Sequence, residues 1–393
     1  MGGERVRMGM IGGGPGAFIG AIHRHASALD GDIELVCGAF SSDATTSQSF
    51  GSSLHLPPAR CYPNYQALFE QEAKLPTGER MQFVAVVTPN HLHFEICRMA
   101  FEHGFHVFCE KPATMSTREA LELAQIQESS GCLFALAHTY TGYPMIKEAR
   151  QLVAAGGLGR IVKIVVEYTQ GWLASSDADS SKQASWRLDP TKSGVSCCMG
   201  DIGVHGANLA EYVSGTSITE LCADVGTVVP GRQLDDDGAV LLRFQNGARG
   251  ALLASQIHIG DENNLRLRVV GDYRALEWSQ LEPNTLWVKS NSESTQMRRA
   301  GVGALSPQAT GVMRTPAGHP EGYIEAFANL YRSFVAQVRK VATGGKVAED
   351  GVDLPGMQSA IRGMAFIENV IAASQSDKKW VPHAVPTGRG ALQ

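Results

Sequence analysis

A short alternating strand, Arg5 to Ile11, runs straight into Gly12-Gly13-Gly14-Pro15-Gly16-Ala17-Phe18-Ile19-Gly20, and Ala21 to Leu29 follows with helical character. Strand, glycine-rich turn and helix in that order leave few folds open. Glycine lets backbone amides approach a pyrophosphate and the helix start stabilises its charge, so this stretch predicts a doubly wound parallel sheet that binds a dinucleotide. The spacing is G-x-G-x-x-A at Gly12, Gly14 and Ala17, with Pro15 and Gly16 altering the turn and Phe18 entering the helix. A second strand is expected over Glu34 to Phe40, and an acid that reads the ribose belongs at its end, roughly 20 residues after the glycines. The residues there are Ser41, Ser42 and Asp43. Asp43 is placed to cap the next helix, which leaves Ser41 or Ser42 to meet the ribose. No arginine follows within the next turn to hold a 2′-phosphate, so NAD is favoured, with NADP as the alternative.

The run Phe83-Val84-Ala85-Val86-Val87 has the length and β-branching of a fully buried strand. Its end, Thr88-Pro89-Asn90, is expected to border the cofactor beside the glycine turn. His91 and His93 have the look of a metal pair, but two residues apart at a helix start they point to different faces, so capping is expected and no metal. A further apolar run, His106 to Cys109, empties into Glu110-Lys111-Pro112. Lysine at such a strand end is held at the mouth of a parallel sheet, where these folds bind ligands. Proline stops the strand, and the Ser116-Thr117-Arg118-Glu119 box opens a helix to about Ser129.

Past about His138 the pattern changes. A helix from Tyr143 to Ala155 leads to a long alternating strand at Ile161 to Gln170, with later strands at 219–229, 239–244, 248–258 and 265–271. Short turns such as Gln245-Asn246-Gly247 predict an open, mainly antiparallel sheet. The expected architecture is therefore α/β: a dinucleotide-binding domain over 1–137 and an α+β substrate-binding and oligomerisation domain over 138–393. Long helices are expected at 321–343 and 354–374, able to pack back on the first domain, with an irregular tail from Pro382. An open sheet needs its outer face covered, which predicts a homo-oligomer, a dimer or tetramer.

The 393 residues carry a net charge of −5 without long blocks of one sign, which argues against nucleic acid or a polybasic membrane anchor and for a small, weakly charged partner. No apolar run approaches the ~20 residues of a spanning helix and no signal segment opens the chain, so a cytoplasmic protein is expected. Eight cysteines without C-x-x-C spacing, several inside apolar runs, predict buried reduced thiols.

In the second domain, Gly200-Asp201-Ile202-Gly203-Val204-His205 sets an acid and an imidazole four residues apart, on one face if the segment is a regular helix. A carboxylate can orient an imidazole, and histidine can take a proton near neutral pH. Tyr140, Tyr143, Gln170, Trp172, Trp186 and Arg187 are expected to line a pocket with flat rings and hydrogen bonds.

Glu110-Lys111-Pro112, the glycine turn, the T-P-N-x-x-H at 88–93, Trp186-Arg187 and the D-x-G-x-H at 201–205 together resemble the glucose-fructose oxidoreductase, inositol dehydrogenase and MocA family. Within it, the turn at 12–20, the G-A-F-S-S-D after strand two and the H-P-E-G-Y at 319–323 look like the branch containing levoglucosan dehydrogenase. The resemblance implies Lys111, Asp201 and His205 as catalytic residues, with His93, Glu110 and Lys111 completing the cofactor-facing set. It implies an oxidoreductase that oxidises a secondary hydroxyl, the 3-hydroxyl by analogy, of a pyranose or anhydrosugar such as levoglucosan. An inositol dehydrogenase is the alternative within the family; an NAD-dependent glycosidase and a non-catalytic dinucleotide sensor are the others. Two departures bear on substrate and cofactor: Val195-Ser196-Cys197-Cys198-Met199 replaces the glycines common before the D-x-G-x-H, and the strand-two acid is missing.

Overall fold

The computed structural model describes residues 4–345 and 353–385. Five strands, β1 (Val6–Gly12), β2 (Ile33–Ala39), β3 (Phe83–Val87), β4 (His106–Cys109) and β5 (Phe134–Leu136), form an all-parallel sheet in the order β2-β1-β3-β4-β5. Every residue of β3 is buried, because helices cover both faces of the sheet. Alternation along the strands divides the core in two. Phe83, Ala85, Val87 and Phe108 face the helices Phe18–Ala28 and Tyr323–Ala342, whereas Val84, Val86 and Val107 face His93–Glu102 and Thr117–Ser130. The chain leaves β1 towards β2 and returns on its other side as β3, which opens a crevice at the carboxyl ends of β1 and β3.

The second sheet has nine strands: β6 (Ile161–Thr169), β7 (Ile218–Gly226), β8 (Asp237–Phe244), β9 (Arg249–Ser255), β10 (Asn264–Gly271), β11 (Ala275–Ser279), β12 (Thr285–Lys289), β13 (Gln296–Arg299) and β14 (Val381–Pro382). Their order is β13-β12-β11-β10-β6-β9-β8-β7-β14. All pairs are antiparallel except β6 with β9, which run parallel within the mainly antiparallel sheet. The reason is topological: β6 is followed by the long excursion that carries Asp201 and His205, and the sheet then closes around it between β9 and β10. The short strands β11 to β13 are too brief to announce themselves by alternation. Val381 and Pro382, expected to begin an irregular tail, pair with Leu221 and Glu220 of β7; residues 386–393 of that tail lie outside the described residues.

The long helix Tyr323–Ala342 packs on the first sheet, with Tyr331 stacked on Phe108 at 4.2 Å between ring centroids. The first structural unit is therefore discontinuous in sequence. Helix Met357–Ser374 lies against both Thr117–Ser130 and β7, tying the two halves together. Ser116 caps Thr117–Ser130 by accepting from the Glu119 amide at 3.2 Å, so that helix starts where the strand's proline leaves off. Among the described residues no helix is long and apolar enough to cross a membrane.

Candidate active site

The glycine turn is squeezed from two sides. Gly12 has φ +86°, and a Cβ there would stand 2.8 Å from the Val87 carbonyl oxygen; a Cβ on Gly14 would stand 2.3 Å from that of Phe40. Both neighbours are backbone and cannot swing away. The helix Phe18–Ala28 begins at Ala17 without a side-chain cap, so its first amides are left to a ligand. Across the crevice the buried Thr88 hydroxyl has no hydrogen-bond partner among the described residues. An uncapped helix start, a turn shaped by backbone contact and an orphaned hydroxyl fit a dinucleotide laid over β1 and β3. Gly14→Ala is expected to cost about 2–3 kcal/mol of stability and to weaken dinucleotide binding, measured by thermal unfolding and by titration; unchanged affinity would remove the turn from the cofactor site.

Asp43 does cap the helix Ala44–Ser53, accepting from the Thr46 amide at 2.7 Å, and that bond holds its carboxyl below the usual range. Ser41 accepts from the Asp43 amide at 3.1 Å, and Ser42 is exposed beside it. His93, counted with the cofactor residues, is instead fully buried: its Nδ1 bonds the Pro112 carbonyl at 2.8 Å and its Nε2 lies 2.9 Å from that of Thr88. It pins the ends of β3 and β4 together, and burial lowers its pKa. Pro89 turns the chain into the helical turn Asn90–Leu92, and Asn90 donates to the Ser193 carbonyl at 3.1 Å across the domain junction.

Glu110 borders the cleft, but both its oxygens are taken. Oε2 accepts from the Lys111 amide at 3.0 Å, and Oε1 meets Nε2 of His23 at 3.0 Å, whose Nδ1 is 2.6 Å from the Tyr331 hydroxyl. A buried relay from helix Tyr323–Ala342 thus sets the backbone of Lys111, whose bond to Pro112 is cis. The lysine ammonium reaches over to the second domain and donates to Asp201 twice, to its carbonyl at 2.6 Å and to Oδ1 at 2.8 Å.

That contact corrects the expected Asp–His pair. Met199–Gly203 is a wide π-type turn rather than a regular helix, and Asp201, though it lines the same cleft as His205, gives its oxygens to Lys111 and Gln256 rather than to the imidazole. Asp201 Oδ2 accepts from Gln256 at 2.9 Å and stands 3.3 Å from the Arg187 guanidinium. Burial opposes ionisation of this carboxyl, but Arg187 and Lys111 outweigh it and hold its pKa below the usual carboxylate range. His205 points its Nδ1 at Nδ1 of His138, 3.2 Å away, which leaves Nε2 as the ring nitrogen for a ligand. Burial first, then Lys111 and His138, push its pKa well below that of an ordinary imidazole, so it is neutral at neutral pH.

A cleft of about 420 Å³ brings these groups together, lined by Lys111, Asp201 and His205 with Thr88, Asn90, Phe18 and Ile19 on the first domain's side. Its other wall is a neutral polar network. Tyr168 and Gln170 both donate to Asn263 Oδ1 at 2.7 Å, Tyr140 and Tyr168 share a hydrogen bond between their hydroxyls, and the Asn263 amide approaches Tyr140 and Gln280. Trp186 and Arg187 line it as expected. Tyr143 and Trp172 do not. Tyr143 turns into the core 5.3 Å from the Trp278 ring, at the start of helix Pro144–Ala154, and Trp172 stands behind Gln170, to which it donates at 2.9 Å.

Tyr168, Asn263, Gln280, Tyr323 and His138 escaped the sequence reading, as did Lys182, which donates to the Pro15 carbonyl of the glycine turn at 2.6 Å. The only signal for His138 was its place after a strand in the run to Pro144; for the others nothing in the spacing gave one.

Residues 6–138 match an oxidoreductase family with an NAD-binding Rossmann fold, and residues 146–277 match the GFO/IDH/MocA C-terminal domain. The chain belongs to the GFO/IDH/MocA family. It is an NAD-binding oxidoreductase by that membership, and its Rossmann sheet and mainly antiparallel second sheet are the two domains the family describes. The uncharacterized oxidoreductase YfiI of Bacillus subtilis is 32% identical over 388 residues, 96% of this chain and 98% of that one. Levoglucosan dehydrogenase of Pseudarthrobacter phenanthrenivorans is 26% identical over 76% of this chain and 79% of its own. Among solved GFO/IDH/MocA-like structures, an inositol dehydrogenase homolog from Azotobacter vinelandii complexed with NAD+ superposes with a TM-score of 0.93 at 33% identity, covering 96% of this chain and 97% of that one. The same homolog with NADH and myo-inositol gives 0.89.

Proposed function

We propose that the protein oxidises a secondary hydroxyl of an unphosphorylated cyclitol or pyranose, with NAD as the oxidant. One observation carries the reading: a single cleft runs from Phe18 and Ile19, at the helix start behind the glycine turn, to Lys111 and His205 and faces them with an uncharged wall of hydroxyls and amides. Such a wall matches a ring bearing several hydroxyls. Lys111 and Arg187 are both charge-paired with Asp201, which offsets the positive charge that a phosphate would call for.

Bound NAD supplies the hydride acceptor at its nicotinamide ring. Lys111 donates to the substrate oxygen and stabilises alkoxide character as it develops. His205, neutral and with Nε2 towards the cleft, takes the hydroxyl proton. Asp201 holds Lys111 in place and balances its charge. Asn263, Gln170 and Tyr168 orient the other hydroxyls. The exposed Asp43 and the two serines after β2 favour a free 2′-hydroxyl on the cofactor, hence NAD over NADP.

The myo-inositol complex of a 33% identical homolog supports a cyclitol as first candidate; the 26% identical levoglucosan dehydrogenase supports an anhydrosugar as the second. Mixing the protein with NAD or NADP and following reduced cofactor across myo-inositol, scyllo-inositol, levoglucosan, glucose and methyl glucosides tests both. Turnover of an inositol with NAD is the expected result. Levoglucosan alone would promote the second reading, and silence with all of them despite tight dinucleotide binding would sink the dehydrogenase in favour of a glycosidase or a sensor. The outer face of the second sheet, where Leu241 of β8 is exposed, is the surface we read as the contact of a homo-oligomer.

A further inference from the structure

His138 follows β5 in the first domain, and His205 sits in the first turn of Val204–Ser214 in the second, so their contact spans the domain junction. The rings meet nearly edge to face, 5.1 Å between centroids at 80°, with the two Nδ1 atoms 3.2 Å apart. A hydrogen bond between two nitrogens needs one to carry the proton and the other a lone pair. Two neutral imidazoles joined this way therefore have two arrangements. If Nδ1 of His205 carries the proton, its Nε2 presents a lone pair to the ligand and acts as a base. If Nδ1 of His138 carries it, Nε2 of His205 is already protonated and accepts nothing. Asp201 cannot decide between them, since its oxygens go to Lys111 and Gln256.

We propose that His138 is the positioning residue of the reaction: its Nδ1 accepts the Nδ1–H of His205 and holds Nε2 of His205 in the form that takes the substrate's proton. The inference rests on His205 being the base, as read above. In the step itself the hydroxyl proton passes to Nε2 of His205, the C–H electron pair leaves with its hydrogen for the nicotinamide, and the carbonyl forms. His205 then carries two N–H groups and a positive charge, and its bond to His138 becomes charge-assisted. A neutral acceptor stabilises that charge less than a carboxylate would, which makes His205 a weak base that gives its proton up readily.

The surroundings agree. The ionisable groups facing His205 are Lys111, His138 and Asp201, with the rings of Tyr140 and Tyr168 against it; those facing His138 are Lys111 and Glu110. Burial and then Lys111 push His138 down to about 3, so it stays a neutral acceptor through the physiological range. Its far nitrogen, Nε2, is buried with no hydrogen-bond partner among the described residues. In the base-ready arrangement that atom bears the unpaired N–H, a polar group kept bare beside a reacting residue.

Three substitutions test the role. In His138→Asn the amide oxygen stands near the place of Nδ1; in His138→Gln the acceptor lies a methylene further on, and in His138→Leu there is none. The Leu and Gln variants are expected to lose about 10²-fold in kcat, with KM and the Kd for NAD, titrated by tryptophan fluorescence, nearly unchanged. The Asn variant is expected to stay within about tenfold of the parent and to keep the acid limb of its kcat/KM profile, which moves in the other two. Should the Leu variant fail to fold, the Gln and Asn pair decides. Equal losses in Asn and Gln, losses that follow Tm, or an active Leu variant would overturn the proposal. Undiminished turnover in His205→Gln would instead overturn the reading of His205 as the base.

Discussion

Lys111→Met lowers kcat by about 10²–10³-fold while NAD binds as before, the expected cost of removing one preorganised donor to a developing oxyanion. An ammonium has three protons to donate. Asp201 takes two of them, through its carbonyl and Oδ1, and the third is left for the cleft, where a substrate oxygen meets it. Methionine keeps the length and apolar stem of the side chain, so the loss reports the donor rather than the packing. Single-turnover kinetics at saturating NAD, alongside a dinucleotide titration, measures it. Wild-type turnover with intact NAD binding would show that the lysine is structural.

Asp201→Asn is expected to damage both folding and turnover. The carboxylate lies between two cations, 2.8 Å from Lys111 and 3.3 Å from Arg187, with its side chain only 16% exposed. Neutralising it leaves both charges uncompensated in a largely dry cleft, at a cost of about 3 kcal/mol at pH 7, and frees Lys111 from the geometry its donation needs. Because the folded carboxyl titrates below its unfolded value of about 3.9, the stabilisation is complete above that pH. It declines as pH falls towards the folded pKa and is gone below it. The difference in unfolding free energy between parent and variant should therefore be flat from neutral pH to about 4 and shrink below. A gap that widens in acid would mean that the partners of Asp201 do not favour its charged form.

The framework was legible because burial writes itself into composition. Phe83 to Val87 has the bounds its β-branched run suggested, and the glycine turn sits where strand and helix demand glycine. Lys111 could be placed because a proline after an apolar run fixes a strand end. What the sequence hid lies in contacts between distant segments. A four-residue spacing suggested that Asp201 orients His205, but Asp201 bonds Lys111 and Gln256 instead, and Asp235 accepts from the amides of Cys197 and Met199 at 2.8 and 2.9 Å and from the Ser196 hydroxyl. That buried carboxylate holds the chain ahead of the wide turn, and nothing local in the sequence points to it. Aromatic identity likewise does not say which way a ring faces: Tyr140 reached the cleft and Tyr143 the core. Tyr168 and Asn263 meet only because β6 and β10 are neighbours.

The helix Tyr323–Ala342 has a consequence for how the protein is made. Phe83, Phe108 and Ala135 on one face of the first sheet are covered by Phe327, Tyr331 and Phe334, which leave the ribosome only after eight of the second sheet's nine strands, β6 to β13, have been synthesised. Domains ordinarily fold in turn as translation delivers them. Here the nascent dinucleotide-binding half waits with an apolar face open, and Tyr331 is the far end of the relay through His23 and Glu110 that fixes the backbone of Lys111. The backbone of Lys111 comes to rest only when Tyr331, far downstream in the chain, has been made.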